Sequence, residues 1–137
     1  MTDLLVAKEN LAGHTICLCK DGKCIFGDKH GIASMMEFVA NGVDLDGFFV
    51  ADVVVGKAAA MLFVKCGIRS VFAKTLSKAG KKFLEEHGVP CQYEVLVEKI
   101  INRAGTDICP MEKTVLDAED VQEGYELLKR KLESLRS

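Results

Sequence analysis

Apolar positions in this chain follow two different periods, and the change between them is clearest from Gly47 to Gly67. Phe48, Phe49, Val50 and Ala51 lead through Asp52 into Val53, Val54 and Val55. A near-continuous run of β-branched and aromatic residues predicts a strand buried on both faces. After Gly56 and Lys57 the residues change to Ala58, Ala59, Ala60, Met61, Leu62, Phe63 and Val64. These predict a helix that is apolar nearly all round and must be covered on most sides. The three alanines let its backbone lie close to a sheet. This stretch is read as a central strand feeding a central helix.

The flanking patterns supply the remaining elements. Residues 2–11 predict a short helix capped by Thr2, with Leu4, Leu5 and Leu11 facing inward, and Gly13 ends it. Residues 15–27 are two apolar runs around Asp21-Gly22, a strong hairpin signal. A two-residue loop puts Lys20 opposite Lys23 and Cys19 opposite Cys24, with Cys17 on the face of Cys19. Both hairpin faces are apolar, which predicts cover on both sides. Ile32, Met35, Met36 and Val39 recur at helical spacing up to Asn41-Gly42. Residues 70–73 predict a short strand, Ser77 caps a helix that ends at His87-Gly88, and residues 92–97 predict another strand. Residues 98–112 fit neither period. A final helix, expected to be capped by Asp117, carries the stripe Val121, Tyr125, Leu128, Leu132 and Leu135. Strands alternating with helices after an initial hairpin predict an α/β protein, a three-layer α/β/α sandwich on a five-stranded mixed sheet. Residues 1–137 are read as a single domain.

Composition narrows the functional classes. With 137 residues, 49% hydrophobic and 28% charged, the chain can bury a core unaided. A formal net charge of −2 gives no general electrostatic case for nucleic acid or an anionic membrane. The N-terminus lacks the pattern of a signal peptide, and no segment is apolar for the length of a membrane span. The expected location is cytoplasmic, where the six cysteines are expected to be reduced.

Candidate chemistry gathers in three places. Asp52, Gly56 and Lys57 sit where a strand's carboxyl end meets a helix's amino end, the position at which α/β sheets collect ligands. A lysine in a first helical turn opposes the helix dipole. It is explained either by an anionic ligand or by an ion pair with Asp52. The second cluster is Asn102, Arg103, Thr106, Asp107, Cys109 and Glu112. Cys109-Pro110 reads as a helix cap followed by proline, which would lower the thiol pKa and favour a thiolate. Glu112 is then either a first-turn acid or a general base acting on water. The alternative is a capped helix with Arg103 and Asp107 as a local pair. The third place is Cys17, Cys19 and Cys24, which suit either a metal or, as preferred here, small hydrophobes packed under a helix. A reducing cytosol argues against a Cys19–Cys24 disulfide. Cys66, Cys91, His14 and His87 have ordinary packing or loop explanations. No metal and no cofactor is assigned.

The segments Val50–Ala60 and Ile101–Glu112, with the Ser77 cap, resemble an uncharacterised prokaryotic domain-of-unknown-function family of cytidine deaminase-like fold. The resemblance extends roughly from Thr15 to Val115. It implies that fold, and no activity. The parent fold holds a catalytic zinc with a His/Cys-Ala-Glu triplet and a Pro-Cys-x-x-Cys segment. In the matching stretches this chain offers His30-Gly31-Ile32 and 52–56, without the glutamate or the cysteine pair. Zinc deamination is therefore not expected. The expected function is binding or turnover of an anionic or nucleotide-like small molecule. Asp52, Lys57, Ser77, Asn102 and Arg103 would hold it, with Cys109 and Glu112 as the chemical groups. The alternative is a non-catalytic sensor or interaction domain acting through homo-oligomerisation.

Overall fold

The Asp21-Gly22 turn starts the sheet. Both residues have positive φ, 52° and 80°, as a tight two-residue hairpin turn requires. Strands β1 (Ile16–Lys20) and β2 (Lys23–Gly27) pair antiparallel on either side of it, with Lys20 opposite Lys23 and Cys19 opposite Cys24. That is the register expected from the sequence. The chain is described by a computed structural model over residues 2–102 and 104–136, with the side chain of Arg136 excepted. Strand β3 (Phe49–Val55) pairs antiparallel with β1. Strands β4 (Ser70–Ser77) and β5 (Cys91–Val97) then extend the sheet in parallel. The resulting order is β2-β1-β3-β4-β5. The expected mixed five-stranded α/β sandwich forms.

Helices α2 (Ala33–Ala40), α3 (Lys57–Lys65), α4 (Lys78–Glu86) and α6 (Val121–Arg136) cover one face. Their Met35, Met61, Leu62, Phe63, Phe83 and Leu128 pack with Leu18, Val50, Val71 and Leu76 of the sheet. Helix α3 is buried from Lys57 through Phe63, as its lack of a polar face requires. Ideal Cβ atoms built on Gly124 would lie 2.5 Å from Met61, so α6 meets α3 where a glycine permits it. Helix α1 (Asp3–Asn10) covers the other face, packing Ala7 with Cys17, Cys19, Ala51 and Phe72. A short helix, α5 (Pro110–Thr114), precedes α6.

Several expectations change. Strand β4 runs on to Ser77 instead of stopping at Ala73, because Thr75, Leu76 and Ser77 stay paired with β5 although Lys74 is exposed. Leu5 is exposed and Ala7 takes the buried place in α1. The last helix is capped by Asp120, whose Oδ2 accepts the Glu123 N–H at 2.9 Å, and not by Asp117. Leu135 is exposed beyond the end of the core. The hairpin is covered on both faces only along β1, since the edge strand β2 leaves Phe26 exposed. Residues 98–112 include an isolated bridge between Ile101 and Ile108 before α5 starts. Cys19 and Cys24 are joined in a disulfide rather than reduced. The cause is the register, which puts their Cα atoms 4.2 Å apart. No helix among the described residues is long and apolar enough to cross a membrane.

Candidate functional site at the carboxyl edge of the sheet

Strand β3 ends at Val55, and Gly56 turns the backbone into α3. Gly56 has no side chain to accept the first N–H groups of that helix, and those groups have no intrahelical partner. They are met from far along the chain. The Lys57 N–H donates to Glu112 Oε1 at 2.7 Å, and the Ala58 N–H donates to Glu112 Oε2 at 2.8 Å. One carboxylate, carried by α5, therefore sits across the positive end of α3. Gly56 is required by this closeness, because a Cβ there would lie 2.2 Å from Glu112 Oε1. Gly80 of α4 presses on the same turn, where a Cβ would lie 3.0 Å from the Gly56 carbonyl. The Ser77 Oγ accepts the Gly80 N–H at 3.0 Å and caps α4 as its spacing predicted.

Lys57 points its side chain along a different path from the one expected. It is 8% exposed. Its Nζ donates to the Leu116 carbonyl at 3.0 Å and lies 3.8 Å from Glu119 Oε1. An ion pair with Asp52 is thus not what holds the turn. Lys57 instead ties the α5–α6 connection to the start of α3. Asp52 is 6% exposed, in register with Ile16 of β1 and Ala73 of β4. Burial pushes its carboxyl up to about 8, against the opposing pull of the Val54 and Val53 backbone N–H groups. Burial thus favours its protonated form near neutral pH. Burial also raises the Glu112 carboxyl, opposed by the Ala58 and Lys57 N–H groups and the Lys57 charge.

The second cluster separates into two parts. Glu112 joins Lys57, Gly56 and Ser77 at the strand end. Asn102 closes its own loop, accepting the Thr106 N–H on Oδ1 at 3.0 Å while its backbone N–H donates to the Asp107 carbonyl at 2.8 Å. Asp107 pairs with Lys113, and that hydrogen bond holds its carboxyl below the usual range. Arg103, and with it the anticipated Arg103–Asp107 pair, lies outside the described residues. Cys109 stands just before α5 without a side-chain cap hydrogen bond; its N–H donates to the Ile100 carbonyl at 2.9 Å, and its side chain is half-buried. Neither Asn102 nor Cys109 shares a hydrogen bond with the Glu112–α3 joint.

The residues at the helix starts do not fit a deaminase zinc. His30 is exposed in the loop before α2, and α3 begins with glycine, lysine and alanine facing a carboxylate. Sequence reasoning named Glu112 and Lys57 in separate clusters, read Glu119 only as an acid at the start of the last helix, and missed Leu116 and Glu119 as partners of Lys57. Only the glycines at 56 and 80 hinted at a close approach there. Open space lies elsewhere. A cleft of about 640 Å³ at the amino edge of the sheet is lined by Asp46, Arg69, His87 and Pro90 among others. A groove of about 360 Å³ between α2 and α6 is lined by Lys29, Glu37, Tyr125 and Lys129 among others.

Comparison with known proteins agrees with the fold. A family model described as a domain of unknown function (DUF1893) matches residues 6–132. The crystal structure of a DUF1893 family protein from Thermotoga maritima superimposes with a TM-score of 0.85 at 26% sequence identity, covering 96% of this chain and 91% of that one. A diaminohydroxyphosphoribosylaminopyrimidine deaminase/5-amino-6-(5-phosphoribosylamino)uracil reductase from the same organism gives a TM-score of 0.47 at 19% identity. It covers 66% of this chain and 34% of that one. No curated protein matches the chain.

Proposed function

The chain belongs to the DUF1893 family, and from that premise we propose that it binds an anionic small molecule at the amino end of α3, where Glu112 acts as a built-in competitor. One observation carries this reading. The Lys57 and Ala58 N–H groups each donate to an oxygen of a single carboxylate, which is the way a helix start holds a ligand's carboxylate or phosphate. Ligand binding would displace Glu112 and swing α5 away from α3. A nucleotide-like anion is the class that would also engage Asp52, whose buried carboxyl lies three residues before the end of β3. Asn102, Arg103 and Cys109 belong to the segment that moves with Glu112 in this reading, with Glu112 and Cys109 as its candidate chemical groups.

Glu112→Ala tests it. The variant frees both N–H groups without touching α3 itself. Titration with inorganic phosphate and with a nucleoside 5′-monophosphate should raise the melting temperature of Glu112→Ala at lower ligand concentration than that of the natural chain. Failure of both anions to shift either protein removes the reading.

A second reading has its own support. Val54, Thr75 and Val95 line up across three strands, and Val54, Tyr93 and Val95 are exposed. With β5 at the sheet edge, these residues suit a domain that works by self-association instead of ligand binding. Sedimentation of the natural chain against Val95→Lys separates the two. A concentration-dependent dimer lost in the variant supports the interaction domain, and a monomer at every concentration leaves the anion reading alone.

A further inference from the structure

The sheet face under α1 holds a sulfur cluster that the carboxyl edge does not use. Cys17 and Cys19 are two apart on β1 and share that face, and Cys24 on β2 stands opposite Cys19. The Cys17 and Cys19 sulfurs are 3.6 Å apart. All three sulfurs lie within 4.8 Å of one another. A metal ion bonded to three sulfurs at about 2.3 Å spaces them about 4 Å apart. The Cys17 and Cys19 sulfurs are already near that spacing, and reduction of the Cys19–Cys24 bond lets its two sulfurs part toward it.

The surroundings select the kind of ion. The donors are all thiols, and among the described residues no histidine or carboxylate joins the group. Such a set suits a soft metal rather than a hard one. The walls are Ala7, Leu11, Ala51 and Phe72. They offer no polar atom to a coordinated water, so an ion that requires a fourth, hydrated position is disfavoured. A monovalent soft ion is satisfied by two or three sulfurs alone and needs no bound water. The Lys8 ammonium lies 4.5 Å from the centre of the Phe72 ring and places positive charge on the same wall. Cys24 is half-buried while Cys17 and Cys19 are fully buried, so the ion enters past Cys24. Helix α1 closes the top. Its Asp3 carboxylate accepts the Asp21 and Gly22 N–H groups at 3.0 and 3.2 Å, which fastens the helix to the hairpin tip.

We propose that the reduced chain binds one monovalent soft metal ion of the copper(I) class through Cys17, Cys19 and Cys24, and that the Cys19–Cys24 disulfide is the metal-free form of the same site. The exchange balances with a low-molecular-weight disulfide as oxidant. The Cys19 and Cys24 thiolates lose two electrons and form their sulfur–sulfur bond. The oxidant's sulfur–sulfur bond breaks, and its two sulfurs take those electrons and two protons from solvent to become thiols. The metal ion leaves with its charge unchanged. Only Cys17 is then left as a ligand, and it takes one proton from solvent as the ion departs.

The test uses the full chain, reduced and kept free of oxygen, titrated with copper(I) in competition with a coloured chelator. One ion per chain is expected. Cys17→Ala and Cys24→Ser should each weaken binding by about 100-fold or more, beyond what outer-shell changes do to metal sites. Cys66→Ser should leave it unchanged. The disulfide form should bind no copper until a reductant is added. Circular dichroism checks that each variant is folded, and Cys24→Ser, at the half-buried position, leaves the core intact. Absence of binding by the reduced chain overturns the proposal. So does a folded Cys17→Ala or Cys24→Ser that binds as tightly as the natural chain, or equal binding by the oxidised and reduced forms.

Discussion

The two ends of the parallel half-sheet treat their polar groups in opposite ways. At the carboxyl end the chain returns after β5 and closes over α3. Glu112 takes the first N–H groups, Lys57 reaches Leu116 and Ser77 caps α4, while Asp52, three residues before the end of β3, is buried with its carboxyl pushed up. At the amino end short turns leave a cleft of about 640 Å³, and Arg69, Gly67 and Gly88 on its walls are exposed. The helix ends differ as well. The carboxyl end presents the N-terminus of α3, which attracts anions, whereas the amino end presents the C-terminal carbonyls of α3 and α4. Strand direction therefore tells which end concentrates donors for an anion. It does not tell whether those donors are free, because that depends on where the rest of the chain goes.

The largest test of this contrast is Asp52→Asn across pH. An acid whose folded pKa is raised binds its proton more tightly folded than unfolded. Between the ordinary value near 3.8 and the folded value of about 8, the folded state therefore carries the extra proton. Stability falls as pH rises through that window, by at most about 1.4 kcal/mol per unit. Below pH 4 this effect is absent. Asparagine cannot ionise, so urea unfolding of Asp52→Asn should show a flatter profile and greater stability than the natural chain at pH 8. Matching profiles would mean that water reaches Asp52, and the carboxyl end would be no drier than the amino end.

A smaller effect is expected from paired glycine substitutions. Gly56 has extended backbone, so alanine there is unstrained, yet its Cβ would lie 2.2 Å from the Glu112 carboxylate. Removing that carboxylate from two buried N–H groups, along with the overpacking, should cost about 3 kcal/mol. Gly88 at the amino end has nothing within 4 Å of its Cβ position but a φ of +72°. Alanine there meets only backbone strain of about 1 kcal/mol. Equal costs in chemical denaturation would show that Glu112 is not held against α3.

The same contrast explains what could be read from the sequence. Features set by neighbours in the chain were legible. Asp21-Gly22 gave the hairpin and its register, the change of period at Gly56 marked the strand-to-helix joint, and Ser77 stood out as the cap ahead of the helical run through Phe83 and Leu84. Asp117 and Asp120 both precede the last helix, and spacing alone did not choose between them. The far end of β4 was missed because Lys74 looks like a strand terminator, although pairing with β5 holds the backbone there. The Glu112–Lys57 joint was out of reach for another reason. Its partners are far apart in sequence, and a carboxylate in a first helical turn already has a local explanation. Lys57 looked anomalous because its partners, Leu116 and Glu119, come from the last third of the chain.

The smallest effect decides what Ser77 is for. It was named as a ligand contact, yet its Oγ is 3.0 Å from the Gly80 N–H and the residue is 1% exposed. If the hydroxyl serves as a cap, Ser77→Ala should cost about 1 kcal/mol with or without ligand, as loss of a helix cap does. Arg69→Ala, on the open cleft, should change stability by less than about 0.5 kcal/mol, as exposed substitutions do. A Ser77→Ala protein as stable as the natural one, but weaker in binding a nucleoside monophosphate, would make the hydroxyl a free ligand contact. One of the groups that close the carboxyl end would then be available after all. The expected order, a small loss at Ser77 and almost none at Arg69, fits an end of the sheet where each donor already has an acceptor.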